Sequence, residues 1–130
     1  MTATSLARPD YNAHLLATRA SFPQVAQALS SILGAKLCAY LGLVKETRAV
    51  HQWAGGVREP SAETQRRLRL ALQAAAAIAS ADSPAVAQAW FQGLNPQLDD
   101  RSPVRMLREG NLDEVGPEVL GAARAFLAGG

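Results

Sequence analysis

Apolar side chains recur at helical spacing along this chain, in short runs cut off by glycine and reopened by serine and proline. Val25, Ala28, Leu29, Ile32 and Leu33 fall at i, i+3, i+4, i+7 and i+8, which puts all five on one face of a helix that Gly34 stops. The same punctuation predicts a short helix from Ala35 to Leu41, with Leu37, Cys38 and Leu41 inward and Gly42 as a left-handed cap. A third helix spans about Glu46 to Ala54, with Ala49, Val50 and Trp53 on one face and Gly55-Gly56 at its end. Ser61 caps a long helix whose buried stripe runs through Leu68, Ala71, Leu72, Ala75, Ile78 and Ala79, leaving Gln65, Arg66, Arg69 and Gln73 outside. Ser83-Pro84 and Ser102-Pro103 each place an N-cap before a proline at the first helical position, where a missing N–H costs nothing. Those helices end near Gln92 and Glu109, before Gly93 and Gly110, with a turn at Leu94-Asn95-Pro96 between them.

The last helix covers about Leu112 to Leu127, with Val115, Val119, Ala122, Ala123 and Phe126 on its stripe; Phe126 is expected in the core rather than as an exposed anchor with Arg124 and Leu127. Pro117 is close enough to its start to be tolerated or to delay its beginning, and Gly129-Gly130 should fray. The apolar set contains 26 Ala and 17 Leu but only 10 Val and Ile, a balance that favours helix over sheet. The expected fold class is all-α. A length of 130 residues allows one compact domain or two small halves sharing a core. Residues 1–21 lack a sustained apolar period and read as an N-terminal arm, to which His14-Leu15-Leu16 and Arg19 could add a docked helical turn. Residues 22–81 form a first helical unit and 82–130 a second.

Several function classes find no support in the residues. With one cysteine, Cys38, and two histidines, His14 and His51, there is neither an internal disulfide nor zinc-ligand spacing, which points to a reducing compartment. No apolar stretch is long enough for a leader or a membrane span, so the expectation is a soluble, cytoplasmic chain with no membrane association. A Gly-rich phosphate cradle and a Gly-x-Ser-x-Gly elbow are both missing, and Asp99-Asp100 is a pair of adjacent loop acids without a base beside it. We therefore expect no enzyme: no catalytic residue, no cofactor and no metal.

The net charge of +2 conceals an asymmetry: residues 36–69 carry +4 and residues 70–130 carry −3. A basic segment followed by an acidic one suggests two surfaces with different partners, the first a polyanion, although a solvated helix face has the same signature. Within the basic segment, two short helices and a turn present Lys45, Thr47, Arg48, His51 and Gln52 outward while Val50 and Trp53 face inward. That is what a DNA-reading helix needs: one apolar face to seat it, and long donors on the other to reach phosphates and base edges. Arg58, just beyond, is placed to touch a backbone phosphate. A three-helix bundle without DNA affinity shares this periodicity.

Trp53-Ala54-Gly55-Gly56 followed by Arg58-Glu59-Pro60-Ser61 resembles the ending of the recognition helix in the Xre-type helix-turn-helix family. The stretch from Gly42 to Trp53 is about two residues longer than the family's common form, which requires an enlarged turn or a later start for the helix. Further on, Trp90, Asn95, Leu98, Pro103, Leu107 and Gly110, with Val115 after them, are similar in spacing to the toxin-binding domain of the Xre/MbcA/ParS antitoxin family. This resemblance covers about the last third of the chain and follows the helix-turn-helix in the family's own order.

It implies an antitoxin of a type II toxin–antitoxin pair, neutralising a RES-type, NAD-consuming toxin by covering its active-site entrance. It also implies repression of its own operon through operator DNA, as a homodimer and in a hetero-oligomer with the toxin. The acidic balance of residues 70–130, with Asp99, Asp100 and Glu109, is consistent with docking on a basic nucleotide pocket. Each motif residue also has a purely structural reading: Asn95 fixes a turn, Pro103 and Gly110 bound a helix, and Trp90, Leu98 and Leu107 knit helices together. The alternative function is a stand-alone Xre-like transcriptional regulator whose C-terminal half only dimerises.

Overall fold

The computed structural model describes residues 9–129, so the first eight positions of the N-terminal segment and the fraying expected at Gly130 lie outside it. Among the described residues the fold is all-α, with eight α-helices, one 3-10 turn and no strand beyond an isolated bridge between Asn95 and Arg101. In chain order these are α1 (Pro9–Arg19), α2 (Phe22–Leu33), α3 (Ala35–Leu41), α4 (Thr47–Ala54) and α5 (Ala62–Ala81). Then follow α6 (Pro84–Gln92), the 3-10 turn Pro96–Leu98, α7 (Pro103–Glu109) and α8 (Leu112–Leu127).

Serine starts four of these helices by one device. The hydroxyls of Ser21, Ser61, Ser83 and Ser102 accept from the third helical amide of α2, α5, α6 and α7, each satisfying an N–H that has no partner inside its helix. At Ser21 the Gln24 side chain reaches back to the cap amide and completes a capping box. Asn111 caps α8 at Asp113, and Pro117 is carried inside that helix without breaking it.

The 20-residue α5 is the axis of the molecule and packs against α1, α2, α3, α6, α7 and α8. Its Ala74 to Ile78 stretch is buried all round, which only a run of small side chains permits when helices approach from several directions. Leu29, Leu41 and Trp53 on one side of it and Phe91 and Leu107 on the other belong to a single buried cluster, so the core is continuous across residue 82.

In the packing around α5, two features differ from the sequence-based expectations. Instead of an arm with one docked turn, residues 9–19 form an eleven-residue helix whose Ala13 and Ala17 are buried against α5. Two alanines one turn apart make a seam too small to register as an apolar period. Arg69, expected outside, is half-buried and donates to the carbonyls of Ala17 and Ala20, each at 2.9 Å, closing the C-terminal end of α1.

Candidate functional site

The connection between α3 and α4 takes five residues, 42–46, and α4 begins at Thr47, one position later than the spacing indicated. The enlarged turn is held by backbone bonds from Gly42, Leu43 and Val44 to the carbonyls of Cys38, Tyr40 and Ala39. Gly42 is not the left-handed cap expected of it, since its φ is −83° and the left-handed residue is Leu43, at φ 60°. Glycine is required there because a Cβ would stand 2.5 Å from Cη2 of Trp53, whose ring lies against the Gly42 backbone.

That ring anchors α4. Trp53 is 1% exposed and meets Phe22 edge-on at 6.2 Å, Ala49 and Val50 are buried beside it, and Gln27 Nε2 donates to the Ala54 carbonyl at 2.8 Å. The opposite face and the segments flanking the helix carry the side chains expected to read DNA. Lys45, Arg48, His51 and Arg58 are exposed, while Thr47 and Gln52 are half-buried. Lys45, Arg48, Gln52 and Arg58 come together with Val44, Glu46 and Ala49 around a shallow groove of about 440 Å³. Arg58 Nη1 donates to Gln52 Oε1 at 3.4 Å across it. Thr47 lines a neighbouring cleft instead, and His51 stands outside the groove.

The +4 of residues 36–69 is not all surface charge. Arg66 pairs with Asp113 of α8, Arg69 closes α1, and Arg67 is 5% exposed. From α5, Arg67 donates to the carbonyl oxygens of Leu41 at 3.3 Å and Leu107 at 3.1 Å, the last residue of α3 and a last-turn residue of α7. Its burial lowers the guanidinium pKa; Glu63, 4.0 Å away, opposes that shift and Arg108 adds to it. The sequence-based charge count included Arg67 without placing it, yet a signal was present: it sits one turn before Ala71 on the buried stripe of α5.

In the C-terminal third, Trp90, Leu98, Pro103 and Leu107 are buried and Trp90 meets Phe91 edge-on at 5.2 Å. Asn95, itself 9% exposed, organises the loop into α7. Its Oδ1 accepts from the Gln97 amide at 2.8 Å, and its carbonyl accepts from Leu98 and Asp100. Gly110 ends α7 with an ordinary φ of −90° and is needed for space, because a Cβ there would lie 2.5 Å from Val115 Cγ1.

Phe126 does not join the core: it is 38% exposed and, with Trp90, Asn95, Pro96 and Ala122, lines a cleft of about 240 Å³. It lies one turn past Ala123, the last buried member of the α8 stripe. Of the acids Asp99, Asp100 and Glu109, the last two lie on a surface that is mixed rather than purely acidic. Glu109 pairs with Arg105 at 3.1 Å, and Asp100, Arg101, Arg105 and Glu109 share one face.

Comparison of the chain with known protein families, curated proteins and solved structures finds no match. Among the described residues there is no cluster of His, Cys, Asp and Glu able to hold a metal ion, and no helix long and apolar enough to cross a membrane.

Proposed function

We propose that this chain is a DNA-binding antitoxin of a type II toxin–antitoxin pair. The α3–turn–α4 unit acts as a helix-turn-helix, and residues 82–130 engage the toxin. The observation that carries the DNA half is the groove where Arg48 and Gln52 of α4 meet Lys45 from the turn before it and Arg58 from the loop after it, the other face of the helix being locked by Trp53. Arg and Lys serve phosphates and guanine edges, and Gln serves adenine. A homodimer would set one α4 in each operator half-site.

The toxin half rests on the resemblance of Trp90, Asn95, Leu98, Pro103, Leu107 and Gly110 to the antitoxin domain. Support from geometry comes from the Trp90–Phe126 cleft, with Leu94 74% exposed beside it, because exposed apolar and aromatic side chains around a concavity suit a protein partner. The partner is a RES-type toxin that consumes NAD, blocked at its active-site entrance, so the antitoxin needs no catalytic residue of its own. Operon autorepression follows from joining the two surfaces in one chain.

The mixed charge around Asp100 and Arg105 favours a second reading, a stand-alone regulator whose C-terminal half self-associates. Co-expression with the genomic neighbour, tagging only this chain, separates the two. A neighbour that arrests growth alone and co-purifies in a silent complex is the antitoxin outcome. A harmless neighbour that is not retained overturns it in favour of the regulator.

A further inference from the structure

A second and larger cleft, of about 620 Å³, shares Val44, Lys45 and Glu46 with the groove on α4. Its polar lining is Lys36 and Tyr40 from α3, Lys45 and Glu46 from the turn, Thr47 at the start of α4, and Arg108 from α7. Three cations from three segments thus face one acid. Arg108 is held in place without a carboxylate: its Nη1 donates to the Tyr40 carbonyl at 2.6 Å, and its guanidinium lies 4.4 Å from the centre of the Tyr40 ring. Arg67 bonds the very next carbonyl, that of Leu41, so a fourth cation reinforces the local potential. Like charges gathered on low-dielectric walls repel one another and attract a counter-anion.

We propose that this cleft takes a backbone phosphate of the same duplex that α4 reads, so that Lys36 and Arg108 carry the DNA interface from α4 onto α3 and α7. The inference rests on the DNA-binding reading of α4. Continuity favours it: Lys45 lines both concavities, and a helix seated in the major groove has phosphates on both flanks, which fix register without reading sequence. It makes Arg108, in the half assigned to the toxin, a part of the DNA surface as well.

The test is the salt dependence of binding to two labelled duplexes, one from upstream of the chain's own gene and one of unrelated sequence, for wild type, Lys36→Gln and Arg48→Gln. Lys36 is exposed, so its exchange leaves the fold intact. Each lost phosphate contact flattens the log–log slope by about 0.9, and Lys36→Gln should do this on both duplexes, with affinity falling roughly threefold to tenfold at moderate salt. If Arg48→Gln weakens binding while Lys36→Gln keeps the wild-type slope, the cleft is not a phosphate site and α4 alone reads DNA. A Lys36 effect confined to the chain's own upstream sequence would overturn the phosphate assignment, because backbone contacts are blind to sequence. Wild type that binds neither duplex overturns both this inference and the helix-turn-helix reading.

Discussion

Cys38 is the single thiol of the chain, and α3 turns it into the core at 2% exposure. Burial pushes its pKa from 9.0 up to about 12, because a thiolate there would lose its water, and a hydrogen bond with Ser30 only partly opposes this. A pKa raised in the folded state contributes stability that is intact below the unfolded value and is lost as pH rises through the folded one. Between about pH 9 and pH 12 the unfolded chain sheds this proton and the native chain keeps it, so stability falls by about 1.4 kcal/mol per pH unit on this account. Urea unfolding of wild type and Cys38→Ala from pH 8 to 11 should show a packing gap that is constant up to pH 9 and then narrows at that rate. A gap that stays constant to pH 11 would mean the thiol is not held protonated. At the same scale, Gly42 was legible as a helix end but not for its cause. No spacing rule could announce that the ring of Trp53, eleven positions later, occupies the place of its Cβ.

Helix starts were the most legible elements, because a serine cap and a following proline are local events whose physics involves three or four neighbouring residues. What joins helices to one another was not, and Arg67 shows why. Its role depends on the ends of α3 and α7 meeting at α5, 26 and 40 residues away in sequence. Both helices direct their C-terminal carbonyls at the guanidinium, so it satisfies two acceptors and interacts favourably with two helix dipoles. Arg67→Met keeps the bulk but strands those carbonyls, at about 1–3 kcal/mol each, while relieving the desolvation of a buried charge. The expected net loss is about 1–3 kcal/mol, read from the urea midpoint. Arg67→Lys should fall in between, because one ammonium on a flexible stem cannot hold both carbonyls in the fixed fork of a guanidinium. A midpoint for Arg67→Met equal to wild type would remove Arg67 as the tie between α3 and α7. The candidate site was legible in the same graded way. Side chains on one helix, Arg48 and Gln52, could be placed from periodicity, whereas the contribution of Arg108 across the fold could not.

For the molecule as a whole, two surfaces that would serve two partners are built on one core. The motif boundary near residue 82 separates the two proposed surfaces, but α5 packs against helices from both sides of it, and Trp53 and Trp90 belong to the same buried cluster. Arg67 and Arg108 add polar ties from α5 and α7 to the end of α3, and Gln88 of α6 donates to the Ile32 carbonyl of α2 at 2.9 Å. Neither half would bury its apolar face without the other, since a chain of this size has little surface to spare. One cooperative transition is therefore expected, and the two tryptophans report it independently, Trp53 beside α2 and Trp90 on α6. Trp53→Phe and Trp90→Phe each leave a single tryptophan, whose fluorescence is excited selectively at the red edge of the absorption band. In urea, the fluorescence midpoint of each variant should coincide with its own midpoint by far-ultraviolet circular dichroism. A fluorescence midpoint displaced from the dichroism midpoint in either variant would mean that the halves unfold separately. A shared transition means that a partner gripping residues 82–130 also stabilises the α3–turn–α4 unit, because whatever binds only the folded state raises the stability of everything that unfolds with it. The proposed toxin and DNA would then act on one folding equilibrium, through the core built around α5.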